Sequence, residues 1–246
     1  MTAFVAPGDP SSPPHRLEDP RFHRHLGDVA RHGGAFPAVG ALQRAAGERV
    51  LITGPTGHGV APAAELEAAQ RTWPSGRTLE QPLSVRPVFP VPPADGALFL
   101  VETESGPGTT ASTASACDAP SFAVALLRLR LGLSLRLYDA CFGYLGGRTV
   151  AGEPLLRRQL VKGALADAVA DQVAVETLLA PGGRPDAATH GDLHRQLTDT
   201  DRGLLRLLGA SGFLADGPGA TAHVSELLAD VYALAPLPPT DARTAS

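Results

Sequence analysis

Two cysteines, one methionine, one tryptophan and three tyrosines in 246 residues leave the chain poor in the side chains that mark many metal and redox sites. Cys117 and Cys141 are too few for a disulfide framework or a cysteine-based metal site, and both are expected to be buried free thiols. Lysine is nearly missing: Lys162 is the only one, and arginine carries the remaining side-chain positive charge. There is no long uninterrupted apolar run. The most apolar stretch, Ala123–Leu137, contains Arg128, Arg130 and Arg136, which excludes a membrane span. The opening MTAFVAPGDPSSPP has neither the basic nor the apolar region of a secretory signal, so a cytoplasmic protein is expected. The formal net charge is -4, and the basic residues are scattered rather than massed, which argues against a nucleic-acid partner.

What is present changes character near residue 120. Residues 1–20 are rich in Pro, Ser and Asp without periodicity and are expected to form a flexible arm. From 21 to 120 the chain is dense in Gly and Pro, with short apolar runs at Arg49–Thr53, Leu83–Val91 and Ala97–Glu102 that suit strands or brief helices. Four segments almost free of proline follow, at about 121–146, 154–180, 186–210 and 221–235. They predict a four-helix bundle, with Pro154 opening the second helix and Pro181-Gly182-Gly183 closing it. Residues 237–246 form a tail. The fold class expected is therefore mainly α (α+β), a C-terminal bundle preceded by a reduced α/β region with short strands.

One segment contains a conflict. Leu127, Leu129, Leu131, Leu133, Leu135 and Leu137 alternate with Arg128, Arg130, Gly132, Ser134 and Arg136, which is the period of a half-buried strand. Leu and Arg are good helix formers, β-branched residues are missing, and Tyr138, Cys141, Phe142 and Leu145 continue at helical spacing. The prediction is a helix.

Four short patterns bear on chemistry. Val50–Gln70 reads strand, Gly-rich turn, helix, but Gly54, Gly57 and Gly59 give G-x-x-G-x-G without a Gly-Lys-Ser/Thr, which fits neither common nucleotide pattern. Lys162 has Arg158, not Tyr, four residues earlier, so the short-chain dehydrogenase pair is missing as well. His190 and His194 stand four apart, with Asp186, Asp192 and Asp199 nearby; no metal motif accompanies them, no metal site is expected, and surface histidines are the expectation. No G-x-S-x-G nucleophile turn occurs.

The segment Tyr144–Asp167, with Tyr144, Arg148, Gly152, Pro154-Leu155, Gln159 and Leu165-Ala166-Asp167 in register, resembles the signature of the C-terminal helical domain of the acyl-CoA dehydrogenase family. Leu207–Pro218, LLGASGFLADGP, is similar to that family's next Gly-rich segment. The resemblance covers about 120 to 236 and implies a bundle of acyl-CoA dehydrogenase type over 121–236. It implies FAD, with Arg148 against the cofactor's diphosphate in a neighbouring subunit and Gln159 as a second contact; a guanidinium offers a planar fork of donors for that task. The substrate implied is an acyl thioester, carried on CoA or on an acyl-carrier protein.

The departures from the family pattern are as informative. The usual Glu base corresponds here to Ala233, within Val231-Tyr232-Ala233-Leu234-Ala235, and its less common location falls near Ala123. A positioned base contributes about 100- to 10,000-fold. Glu226 and Asp230, one or two turns from Ala233, are the fallback candidates. About 120 residues precede the bundle, where the family carries two further domains. Three readings stay open: a repurposed biosynthetic enzyme, a non-dehydrogenating subunit or pure scaffold, and an FAD-dependent dehydrogenase with a displaced base. Leucine nearly all round Leu126–Leu137 is more than one bundle face covers, so association is expected, with a second copy or with a full-length acyl-CoA dehydrogenase homologue, through the bundle.

Overall fold

The computed structural model describes residues 16–79, 83–89, 96–103, 120–180, 185–214 and 217–233. Two helices come first, α1 (Pro20–Gly33) and α2 (Ala35–Ala45), followed by β1 (Val50–Ile52), β2 (His58–Pro62), α3 (Ala63–Ala68), β3 (Arg71–Trp73), β4 (Ser84–Pro87) and β5 (Leu98–Glu102). Next come α4 (Pro120–Gly146), the small hairpin β6 (Thr149–Val150) and β7 (Glu153–Pro154), α5 (Gln159–Leu178), α6 (Ala187–Leu208) and α7 (Pro218–Tyr232). The fold is mainly α. Strands β2, β5 and β4 form an antiparallel sheet in that order, and β1 pairs in parallel with β3.

The axis of the molecule is α4, with α1, α5, α6 and α7 packed around it. The predicted helix for 121–146 is thus present, and its three-sided burial explains the misleading alternation. Phe122, Leu126, Leu129 and Leu133 join the core shared with α1, α2 and α7. Leu127 and Leu131 meet Val175 and Leu179 of α5 and its end, and Leu193 and Leu197 of α6. Leu137, Cys141 and Leu145 meet Leu165, Leu204 and Leu208. Each fully buried leucine stabilises by about 1.5–3 kcal/mol. The arginines between them point to separate neighbours: Arg128 donates to the Leu179 carbonyl, Arg130 enters the bundle interior and Arg136 donates to the carbonyls of Arg31 and His32. Helix α5 runs antiparallel to α4, as its end meets Arg128 while Gln172 donates to Ser134 and Leu165 reaches Cys141 and Leu145.

Several expectations are corrected. Helices α1 and α2 occupy Pro20–Ala45, a stretch for which the sequence named no element. Their signal was local: Asp19 caps α1 by accepting from the Arg21 amide at 2.8 Å, with Pro20 opening the helix. Leu17, inside the expected arm, is fully buried. Pro154 does not open the second bundle helix but lies in β7, and α5 starts only at Gln159 after a short 3-10 turn, Leu155–Arg157. The turn after β1 leads into β2, not directly into a helix. One core cluster draws on Leu17–Leu98 and Phe122–Tyr232 alike, so the two sides of residue 120 share an interior. Cys141 is buried, which pushes its thiol up to about 11; Cys117 and the Pro181-Gly182-Gly183 stop lie outside the described residues.

Candidate functional site

Tyr144 and Arg148 close the C-terminal end of α4, with the Arg148 guanidinium carbon 4.6 Å from the centre of the Tyr144 ring. This is a cation–π contact at a solvent-facing position. The Arg148 amide donates to the Leu145 carbonyl and its own carbonyl accepts from Leu155, which folds the β6–β7 hairpin back onto the helix end. Ser211 donates to the Tyr144 hydroxyl at 2.8 Å. The two segments that carry the family resemblance, far apart in sequence, therefore touch. Gln159 is the first residue of α5 and, like Arg148, is exposed. No carboxylate lies within ion-pair distance of Arg148 among the described residues.

Ala123 and Ala233, the alanines expected at the base positions, lie near the opposite end of α4, the second of them at the end of α7. Ala123 is buried, beside Phe122, and Ala233 is half-buried at the end of α7, beside Tyr232. The neighbouring Phe122 and Tyr232 rings pack edge to face, 5.6 Å apart, and Trp73 lies 5.7 Å from Phe122. The Tyr232 hydroxyl accepts from the Val60 amide at 2.8 Å, and Gln43 ties the same place together by accepting from the Ile52 amide and donating to the Val60 carbonyl. Burial pushes the Tyr232 phenol well above its ordinary value. The Gly-rich turn supplies the remaining wall. A Cβ on Gly54 would sit 1.8 Å from the Val231 carbonyl oxygen, so this glycine serves close packing on α7. The cavity described below borders neither Ala123 nor Ala233. Tyr232→Phe is expected to destabilise the fold by about 1–3 kcal/mol, because the buried Val60 amide loses its acceptor; urea unfolding measures it.

Glu226 and Asp230 do not join this cluster. Glu226 pairs with Arg202 of α6, and Asp230 is exposed. Burial and the neighbouring Glu226 charge raise the Asp230 carboxyl from its ordinary value.

A polar node that the sequence reading missed lies in the bundle interior. Arg130 is fully buried. Its Nε donates to the Ser225 hydroxyl at 3.2 Å, Nη1 to His194 Nδ1 at 2.9 Å and the His194 carbonyl at 3.0 Å, and Nη2 to the Thr198 hydroxyl at 2.8 Å. Burial lowers this guanidinium to about 10, so it stays charged at neutral pH. Gln172 donates to the Ser134 hydroxyl at 2.9 Å, which ties in α5. The expectation of surface histidines is thus overturned at His194, 1% exposed: as acceptor for Arg130 it is neutral at Nδ1. Its pKa is held well below 6.5 by burial and the Arg130 charge. No group of three metal ligands occurs among the described residues. Asp201 is also buried, and burial pushes it up to about 6 against the opposing effects of Ser134, Arg130 and Ser225. The signal in the sequence was three arginines inside a leucine run, which excluded a membrane span without revealing their partners.

These two shifts act oppositely on stability. The lowered His194 contributes stability present above about pH 6.5, its unfolded value, and lost as pH falls through the folded one. The raised Asp201 contributes stability present below about pH 3.8 and lost as pH rises through about 6. Between pH 6.5 and 4 the two offset each other in part. The Asp201→Asn variant is therefore expected to lose stability on acidification more steeply than the unaltered chain, as read from urea midpoints across that range; equal slopes would contradict the assignment.

No family model and no curated protein matches the sequence. Among solved structures the chain is similar to a glutaryl-CoA dehydrogenase from Mycobacterium smegmatis in complex with FADH2, at 16% identity and TM-score 0.47 over 73% of this chain and 60% of that one. It is also similar to the ChsE4–ChsE5 complex from Mycobacterium tuberculosis, at 14% identity and TM-score 0.49 over 90% and 80% of the two chains. A third is butyryl-CoA dehydrogenase from Megasphaera elsdenii, at 13% identity and TM-score 0.45 over 87% and 74%. The chain thus spans three fifths of the length of the first of these.

Proposed function

We propose that this protein is an acyl-CoA dehydrogenase-like subunit that does not itself abstract a proton from an acyl thioester, and that it acts in association with a second copy or a fuller-length homologue. The observation that carries this reading is the packed aromatic cluster beside both expected base positions: Ala123 and Ala233 offer no proton acceptor, and their neighbours Phe122 and Tyr232 pack together with Trp73. Arg148 and Gln159, both exposed and at the far end of α4 from that cluster, suit a diphosphate belonging to a neighbouring chain's FAD. FAD supplies hydride acceptance when bound; the part assigned to this chain is to hold its diphosphate by Arg148 and Gln159. The acyl group would be presented on CoA or on an acyl-carrier protein.

Association finds support in α5. Its inner side buries Leu165, Ala168, Gln172 and Val175, while Ala166, Ala170, Val173 and Ala174 face outward, with Val173 53% exposed. An apolar outer face on a helix already packed on its inner side marks an interaction surface. Sedimentation equilibrium at micromolar concentration is expected to return a mass above 25.4 kDa, alone or with such a homologue, and Val173→Glu should lower it. With added FAD and butyryl-CoA under anaerobic conditions, the flavin absorbance should not bleach. A stable monomer in both mixtures, or rapid bleaching by this chain alone, would sink the proposal.

A further inference from the structure

A cavity of about 530 Å³ opens where the end of α1, the start of α2, the second half of α4, the start of α7 and β5 converge. Arg148, Gln159, Ala123 and Ala233 do not border it, and its size lies within the range of small-molecule sites, roughly 300–1,000 Å³. Its main lining groups are held by contacts of their own. Phe36 is closed in by the Gly96 backbone, which has φ +129° and where a Cβ would stand 2.5 Å from the ring. Phe89 stands edge-on to His223 with ring centroids 5.4 Å apart. Arg31 is paired in bidentate fashion with Asp139, at 2.9 and 3.1 Å.

Arg136 is different. Its Nη1 donates to the carbonyls of Arg31 and His32, each at 3.2 Å. Among the described residues no carboxylate lies within ion-pair distance of it, and its Nε and Nη2 have no hydrogen-bond partner. Two neutral acceptors therefore fix the guanidinium without neutralising it. With Arg31 matched by Asp139, the described lining residues carry one positive charge in excess, next to the apolar surfaces of Phe36, Phe89, Leu98 and Val224. A planar guanidinium with free donors suits a carboxylate, and the partly enclosed apolar wall strengthens that interaction by excluding water.

We propose that this cavity binds a small organic monoanion, a carboxylate on a ring-sized apolar body, with the carboxylate on Arg136 and the body against Phe36 and Phe89. A cation would meet the uncompensated charge, and a neutral ligand would leave it without a partner. The site uses none of the residues of the association reading, so either can fail alone. Hydrocinnamate and its amide serve as probes, titrated into the full chain by calorimetry. The acid is expected to bind about tenfold more tightly than the amide or better, since a charge-assisted bond replaces a neutral one. Arg136→Met should remove that preference, and Thr221→Phe, which fills the cavity from α7, should abolish binding of both while the circular dichroism spectrum is retained. If Arg136→Met fails to fold, Thr221→Phe still decides. Equal affinities for acid and amide, acid binding unaffected by Thr221→Phe, or no binding of the acid at millimolar concentration would each overturn the proposal.

Discussion

Replacement of Arg130 by methionine is expected to lower the stability of the fold by about 3–5 kcal/mol, because several hydrogen bonds to a charged group, about 1.5–3 kcal/mol each, are lost together. The side chain is fully buried and connects three helices: it sits on α4 and donates to His194 and Thr198 of α6 and Ser225 of α7. Without it, the buried His194 and Ser225 acceptors lose their donor, and Asp201 loses the positive charge that opposes its burial. Methionine fills part of the volume, so the loss is mainly electrostatic. A second change tests this: Arg130→Met with Asp201→Leu should recover a large part of the loss, because an apolar replacement of both groups leaves no unpaired charge. Urea unfolding followed by circular dichroism measures both variants. A loss under about 1 kcal/mol for the single variant would mean that the node contributes no more than an ordinary hydrogen bond.

Gly132→Ala is the second large effect. A Cβ there would lie 2.2 Å from the Gly27 carbonyl oxygen and 2.8 Å from the Ala30 Cβ. On the other side, a Cβ at Gly27 would stand 3.2 Å from the Arg128 carbonyl, so α1 and α4 cross backbone to backbone at a pair of glycines. Alanine ordinarily favours a helix by about 1 kcal/mol over glycine. Here the methyl meets backbone, which cannot rotate away, and α1 must move off α4. Overpacking of this kind costs about 1–3 kcal/mol, occasionally more, and the displacement also disturbs Leu26 and Ala30 in the core. The net expectation is a lower thermal midpoint with faster amide exchange concentrated in α1. A stabilised Gly132→Ala variant would show that the two helices can separate at little cost.

The position of α4 was legible because its length and leucine content leave a helix as the only way to bury so many large side chains, despite a strand-like alternation. The partners of its arginines were not legible. Arg128, Arg130 and Arg136 look alike in sequence, yet one reaches a helix end, one a buried histidine and one a cavity wall. Residues 100° apart per step on a helix point to different neighbours, and which neighbours those are depends on α1, α5, α6 and α7. Likewise His194 lies on the same helix as the half-buried His190 and differs only in what α4 places opposite it.

Sequence by itself determined the elements whose cause is local. The leucine-rich α4, the Asp186 cap that accepts from the Thr189 amide and starts α6, and Pro218 opening α7 are set by propensity and capping within a few residues. Only the tertiary structure decided that Phe122 and Tyr232 meet at one packed end of α4, that Gly54 and Gly132 are sites of backbone contact, and that Arg136, with no carboxylate partner among the described residues, faces a cavity. Those outcomes depend on contacts between residues far apart in the chain, whose free energy comes from burial and charge pairing across elements and leaves no periodic trace in either partner.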